Sequence, residues 1–283
     1  MTFDAMRDEG LRRLVQWSLK GLCAAAVAAT LNSGSVLAAE PEDPWPGLAR
    51  DIFNGRDLAD GAGVIAIEMP YRAEDAAIVP VTLRATLPPG DTRAVKAITL
   101  VIDQNPAPVA ATFQTGTGVT MISTRVRVDS YTNVHAVAEL SDGQLYASSV
   151  FVKASGGCSA PAAKNLEEAK ANLGQMRFRQ FSKPADGPVN GPREAQIMIR
   201  HPNNSGLQRD QVTLLYVPAF FVRELRVWQG DELVLAMDGG ISISEDPNIR
   251  FNYLPNGATR FRVEAVDTDG HVFKGEWPVE AAM

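Results

Sequence analysis

The sequence predicts an all-β protein in which an N-terminal signal peptide precedes two immunoglobulin-like β-sandwich domains, joined by a Gly-Gly-Cys arm and a short helical linker. Three observations support this. Short apolar runs that alternate with polar residues fill most of the chain, and turn compositions such as PPGD, DQNP and SDGQ divide them. This pattern is typical of antiparallel sandwiches. The stretch VKASGGCSAP separates two such series, and an alanine-rich apolar stretch precedes the first.

The N-terminal stretch has the three parts of a secretory signal peptide. Basic residues come first, at Arg12, Arg13 and Lys20. A short apolar run rich in alanine follows, and small residues lead up to a cleavage site near Ala38. A membrane anchor is the alternative, but the run is short for a span and is interrupted by Asn32 and Gly34. We therefore expect residues 1–39 to be a signal peptide and the protein to be periplasmic; the Arg12-Arg13 pair is a weak match to a twin-arginine signal.

The net charge and the cysteine content limit the classes of function that the protein can have. The formal net charge of −6 gives no basic surplus to attract nucleic acid or an anionic membrane. Cleavage removes Cys23 and leaves Cys158 as the one cysteine of the exported chain. A single cysteine has no internal disulfide partner, so its thiol needs another partner or a task of its own.

The first predicted domain covers residues 44–153. Leu48, Ile52 and Phe53 have helical spacing after Pro46, which predicts a short helix at its start. Seven strands follow, in the segments VIAIEMP, IVPVTLRATL, AVKAITLVID, VAATFQT, VTMISTRVRV, NVHAVAEL and LYASSVFVK.

Residues 154–176 are predicted to be the cysteine-bearing arm and a helix-prone linker, and residues 177–283 the second sandwich. Its strands are expected in the segments REAQIMIRHP, VTLLYVP, FFVRELRVWQG, ELVLAMDGG, ISISEDP, NIRFNYLP, TRFRVEAVD and HVFKGEWPV. Asp269-Gly270 has a hairpin-turn composition. Since Phe220 and Phe221 are adjacent, one of them is expected to face a partner or the other domain.

The sequence lacks the common enzyme motifs. It contains no G-x-S-x-G nucleophile elbow and no P-loop. His135, His201 and His271 are scattered without metal-ligand spacing and are expected to be surface or strand-end residues. We therefore predict no catalytic residue, no metal site and no cofactor.

The segment around Cys158 predicts an exposed, reactive thiol. Gly156 and Gly157 suggest a flexible arm. Lys153, Lys164 and the N-terminus of the predicted helix are expected to lower the pKa of the thiol. Two alternatives stay open: a free cysteine without a role, and an intermolecular disulfide that forms a homodimer.

Parts of the sequence resemble a known family. A strand ending in Val-Lys before a Gly-Gly-Cys arm resembles SoxY, the carrier subunit of the periplasmic Sox sulfur-oxidation system. The segments HPNNSGLQRD, VPAFFVRELRVWQGDELVLAMDGG and ISISEDPNIRFNY resemble its partner SoxZ. The resemblance extends from about Pro44 to Pro278 and suggests a fused SoxY–SoxZ carrier of the type associated with quinoprotein dehydrogenases.

The resemblance implies a function. In this family the arm cysteine carries thiosulfate-derived sulfur as a covalent adduct, and separate enzymes process it. It implies that Cys158 is the attachment residue, Gly156 and Gly157 are the arm, and the partners are periplasmic sulfur-oxidation enzymes or a quinoprotein (PQQ) dehydrogenase and its cytochrome. The alternative is an accessory protein for such a dehydrogenase, with no cargo on Cys158. The chain departs from the family because its arm continues through Ser159 into the second domain instead of ending.

Overall fold

The computed structural model describes residues 43–161, 171–181 and 191–280. The predicted signal peptide and residues 162–170 of the predicted linker lie outside the described residues. No helix in the described part of the chain is long and apolar enough to span a membrane.

The described elements are one short helix and a series of strands. In chain order they are α1 (Trp45–Ile52), β1 (Leu58–Asp60), β2 (Ile65–Glu68), β3 (Val79–Ala85), β4 (Val95–Ile102), β5 (Val109–Thr115), β6 (Met121–Val126), β7 (Thr132–Leu140), β8 (Leu145–Val152), β9 (Met176–Phe181), β10 (Arg193–Ile199), β11 (Val222–Gln229), β12 (Glu232–Gly239), β13 (Asn248–Tyr253), β14 (Arg260–Asp267) and β15 (Val272–Pro278). The predicted all-β class with two sandwich domains is confirmed.

The helix α1 forms where the spacing of apolar residues predicts it. Proline occupies its first turn, where the missing N–H costs nothing. Phe53, which follows the helix, is buried against Val137 and Leu145 of the first domain, and Trp45 packs on the same cluster. The helix therefore packs on the outer face of strands β7 and β8, the face opposite the main core.

The two domains share their sheets. One sheet has the order β1-β8-β7-β4-β5-β12-β11-β14-β15, and the other has the order β2-β3-β6-β13-β10-β9. Each sheet thus passes from the first domain into the second without a break, through the β5–β12 and β6–β13 pairs. Pairing edge strands in this way satisfies backbone groups that an isolated sandwich would expose.

Side-chain contacts stabilise the junction at the β5–β12 and β6–β13 pairs, which we call the domain seam. On β5, Phe113 is fully buried opposite Met237 of β12. On β13, the amide oxygen of Asn252 accepts hydrogen bonds from the backbone N–H groups of Thr120 (2.8 Å) and Met121 (2.7 Å). A single apolar cluster then continues through both domains. The two sandwiches are therefore joined by a shared core as well as by the linker.

Two of the predicted strands are absent. VTLLYVP and ISISEDP form turns and single bridges instead of ladder strands. In the first, the Asp210 carboxylate accepts hydrogen bonds from the N–H groups of Val212 (3.0 Å) and Thr213 (2.7 Å), which closes a turn. Leu214 has φ 60°, a conformation that an extended strand does not contain. Conversely, β1 and β9 were not expected.

Candidate functional site

The candidate site is the cysteine loop, which we define as residues 154–161, directly after β8. Gly156 has φ 76°, and its N–H donates to the carbonyl of Asp129 at 2.7 Å. The N–H of Gly157 donates to the carbonyl of Val128 at 3.0 Å. The loop thus lies along residues 128–129, which follow β6.

The two glycines have different structural tasks. Gly156 adopts a left-handed conformation that side chains disfavour. At Gly157 the backbone passes so close to its neighbours that a Cβ atom would lie 2.0 Å from the carbonyl oxygen of Ala76 and 2.6 Å from that of Val128. In this position, which we call the docked position, the predicted arm is a closely packed loop.

The structure corrects the expected exposure of the thiol. Cys158 is fully buried, with 0% of its surface exposed. Burial, with a smaller contribution from the Asp129 carboxylate, raises the pKa of the thiol from its ordinary 9.0 to about 12, and Arg127 opposes the rise. The predicted lowering is wrong: Lys153 lies over the ring of Tyr71 instead, and no helix has begun at Pro161, where it was expected. Lys164 lies outside the described residues.

The second domain holds the cysteine loop through two side chains. The hydroxyl of Ser205 donates to the carbonyl of Cys158 at 2.5 Å. The side-chain amide of Gln208 donates to the carbonyl of Ala160 at 2.9 Å, while its oxygen accepts from the N–H of Ser205 at 3.1 Å. On the opposite side, the Asp129 carboxylate accepts from the N–H of Cys158 at 3.3 Å. The loop is therefore held by both domains.

A buried guanidinium lies beneath the loop. Arg127 is 1% exposed and donates to the carbonyls of Gly157 (3.3 Å) and Asn203 (3.4 Å), one from each domain. Desolvation lowers its pKa, and the charges of Glu245, Cys158 and Asp75 oppose that shift. Sequence reasoning missed Arg127, because at a strand end an arginine is ordinarily exposed.

Two of the three histidines, His135 and His201, are buried and not at the surface as predicted, whereas His271 is exposed next to β15, as expected, and shares the Asp267 carboxylate with His201. His135 is buried, with Nε2 3.1 Å from the Asp103 carboxylate and the Trp45 ring stacked on it at 3.6 Å. His201 is buried in the second domain and accepts, through Nδ1, a hydrogen bond from the N–H of Asn203 at 3.1 Å. The residues described here contain no group of three or more metal-ligating side chains.

His201 contributes indirectly to the site. Its bond to Asn203 helps to fix the segment that also carries Ser205, and its Nε2 lies 3.6 Å from the buried Asp267 carboxylate. Burial lowers the pKa of His201 and thereby favours the neutral ring, while the Asp267 carboxylate opposes this shift. Phe220, one of the two adjacent phenylalanines, packs on that ring with centroids 4.4 Å apart. It thus faces the interior of its own domain, not the first domain.

Two known families match separate parts of the chain. Residues 49–158 match the family of the sulfur oxidation protein SoxY, and residues 182–278 match the family of the sulphur oxidation protein SoxZ. The chain joins a SoxY domain to a SoxZ domain. The SoxY match ends at Cys158, and Ser205 and Gln208 belong to the SoxZ domain.

The solved structures that resemble this chain include a SoxY sulfur carrier. The sulfur carrier protein SoxY from Chlorobium limicola f thiosulfatophilum is 24% identical over 39% of this chain and 91% of its own, with a TM-score of 0.34. A superoxide reductase (neelaredoxin) from Ignicoccus hospitalis is 14% identical over 33% of this chain and 82% of its own, with a TM-score of 0.29. No curated protein sequence matches the chain.

Proposed function

We propose that this protein is a periplasmic carrier that holds a sulfur-containing intermediate covalently on Cys158 and presents it to sulfur-oxidation enzymes. The observation that supports this most is the end of the SoxY match at Cys158, the single cysteine of the chain after the predicted cleavage near Ala38. The SoxZ domain supports it further, since both halves of a sulfur-oxidation pair are present in one chain.

The proposed attachment uses the chemistry of a thiol. Joining thiosulfate to Cys158 forms a bond between Sγ and the outer sulfur of thiosulfate. One proton leaves the thiol, and two electrons pass to an acceptor in a partner enzyme, such as a cytochrome. Later steps remove oxidised sulfur from the adduct and return the thiol. In this scheme the chain supplies the attachment point, and the catalytic groups belong to its partners.

The docked position and this chemistry require two states of the cysteine loop. A fully buried thiol with a pKa of about 12 is almost entirely protonated at neutral pH, and the thiol form is a poor nucleophile. Loading therefore takes place after the loop has left the docked position. Since the loop is anchored at Val152 and continues beyond Pro161, it would enter a partner as a bent segment.

A second candidate function is favoured by the same burial. A cysteine that never leaves the docked position is a packing residue, and the chain would then be an accessory protein. Its partner in that case is a periplasmic quinoprotein (PQQ) dehydrogenase, and no cargo is attached. The two candidates differ in what they require of the sulfur atom of Cys158.

Complementation in the native host separates them. We expect Cys158→Ser to abolish thiosulfate consumption by cells lacking the natural gene copy, because an alcohol forms no disulfide-type bond. Ser159→Ala is the matched control and should keep activity, since within the described part of the chain its hydroxyl donates only to the carbonyl of Gly156, at 3.3 Å. Full activity of Cys158→Ser would contradict the carrier function. Fractionation should place both variants in the periplasm, with a mature N-terminus close to Ala38.

A further inference from the structure

The contacts from the SoxZ domain to the cysteine loop are made by buried side chains. Ser205 is 3% exposed and Gln208 is 1% exposed. Both donate to carbonyl groups of the loop, at Cys158 and Ala160, and they are linked to each other. Leaving these polar groups without partners is unfavourable, so the pair stabilises the docked position as a unit.

In the docked position the thiol has no solvent-accessible surface at which an attached group could lie. Cys158 is fully buried, and the backbone of the adjacent Gly157 packs directly against the backbone of Ala76. A surface pocket of about 480 Å³ opens nearby, but it is lined by Ser159 and Pro161 and not by Cys158. Protein interiors resist insertion of even a few atoms. Several additional atoms on Sγ therefore require the loop to move.

We propose that Ser205 and Gln208 are positioning residues through which the SoxZ domain holds the unloaded Cys158 in the docked position, and that a covalent load expels the loop. The part that concerns loading rests on the proposed carrier function. The docked and loaded states then exclude each other. A partner enzyme that recognises the released loop would bind the loaded carrier more often than the empty one, whose loop is released only for loading.

The arrangement also protects the empty carrier. An exposed thiol in an exported protein is prone to oxidation and cross-linking. In the docked position the thiol is inaccessible, and the charge-bearing thiolate is suppressed. The SoxZ domain thus keeps the attachment residue reduced between rounds of loading.

The first test measures the rate at which iodoacetamide modifies Cys158 in the full chain. Each lost hydrogen bond should raise the rate by roughly two- to tenfold in Ser205→Ala and in Gln208→Ala, and the double variant should react faster than either. The control is Ser148→Ala, which removes a similar hydroxyl bond to the carbonyl of Ile65 in the SoxY domain. Equal rates in all four variants and the parent would overturn the positioning function.

The second test asks whether a load expels the loop. The N–H groups of Gly156, Gly157 and Cys158 all donate hydrogen bonds in the docked position. Their hydrogen exchange should be slow in the unmodified protein and fast after carbamidomethylation of Cys158, while β4 and β11 stay protected. Unchanged protection of these amides would contradict expulsion. Neither test needs a natural cargo or partner, so a failure here is distinguishable from a failure of the carrier function.

Discussion

The burial of Cys158 predicts how its reactivity depends on pH. For a thiol at its ordinary pKa of 9.0, about one tenth is thiolate at pH 8; at a pKa of about 12 the fraction is about one in ten thousand. Because alkylation uses the thiolate, we expect Cys158 in the native protein to react about a thousandfold more slowly at pH 8 than in the unfolded chain.

The same shift fixes the direction of the linkage. Docking favours the protonated thiol. The contribution of the protonated thiol to the stability of the docked position is therefore complete below pH 9 and is lost as the pH rises towards 12. A rise of three units in pKa corresponds to about 4 kcal/mol. This is the amount by which ionisation of the thiol destabilises the docked position relative to the released one. Release of the loop is therefore coupled to ionisation of the thiol.

The assay is the second-order rate of iodoacetamide modification, followed by intact mass from pH 7 to pH 11. We expect the rate of the native protein to increase about tenfold per pH unit with no plateau near pH 9, whether the thiolate forms in the docked or in the released loop. The unfolded chain in denaturant is the control and should approach a plateau near its ordinary pKa. A native profile that coincides with this control would refute the argument from burial.

Two further substitutions test the packing of the loop and of the domain seam. Gly157→Ala places a Cβ atom 2.0 Å from the carbonyl oxygen of Ala76, so we expect the loop to be released. The alkylation rate of Cys158 should then approach that of the unfolded chain, while the melting transition is retained. A rate equal to the parent's would show that the loop docks differently. Asn252→Ala leaves the N–H groups of Thr120 and Met121 without their acceptor at the seam and should lower the free energy of unfolding by about 2–4 kcal/mol in urea titrations. Asn256→Ala removes hydrogen bonds within the SoxZ domain only and should lower the free energy of unfolding by less. Equal decreases in the two variants would show that the hydrogen bonds between the domains contribute no more than those within one domain.

The strand content of the fold could be predicted from the sequence because it depends on local pattern. Alternation over segments such as VAATFQT reflects one buried face, and the Asp269-Gly270 turn separates β14 from β15 as expected. VTLLYVP looks equally strand-like, but the carboxylate of Asp210 closes a turn there. A side-chain bond to nearby N–H groups outweighs β propensity in that segment.

The continuous sheets could not be predicted, because alternation specifies which face is buried and not which edges pair. The pairing of β5 with β12 joins residues more than a hundred positions apart in the chain. Burial of Cys158 was missed for a related reason. Its neighbours in sequence are small and polar, and the groups that cover it, including Ser205, come from the other domain. Local composition indicated that the segment was exposed, whereas tertiary contacts enclose it.

The most direct test of the carrier function is the intact mass of the protein purified from the native periplasm of cells oxidising thiosulfate. We expect part of the material to carry additional mass that maps to the peptide containing Cys158 and disappears on reduction, with none in Cys158→Ser. A single species at the mass of the unmodified mature chain, from cells that are actively oxidising thiosulfate, would contradict it.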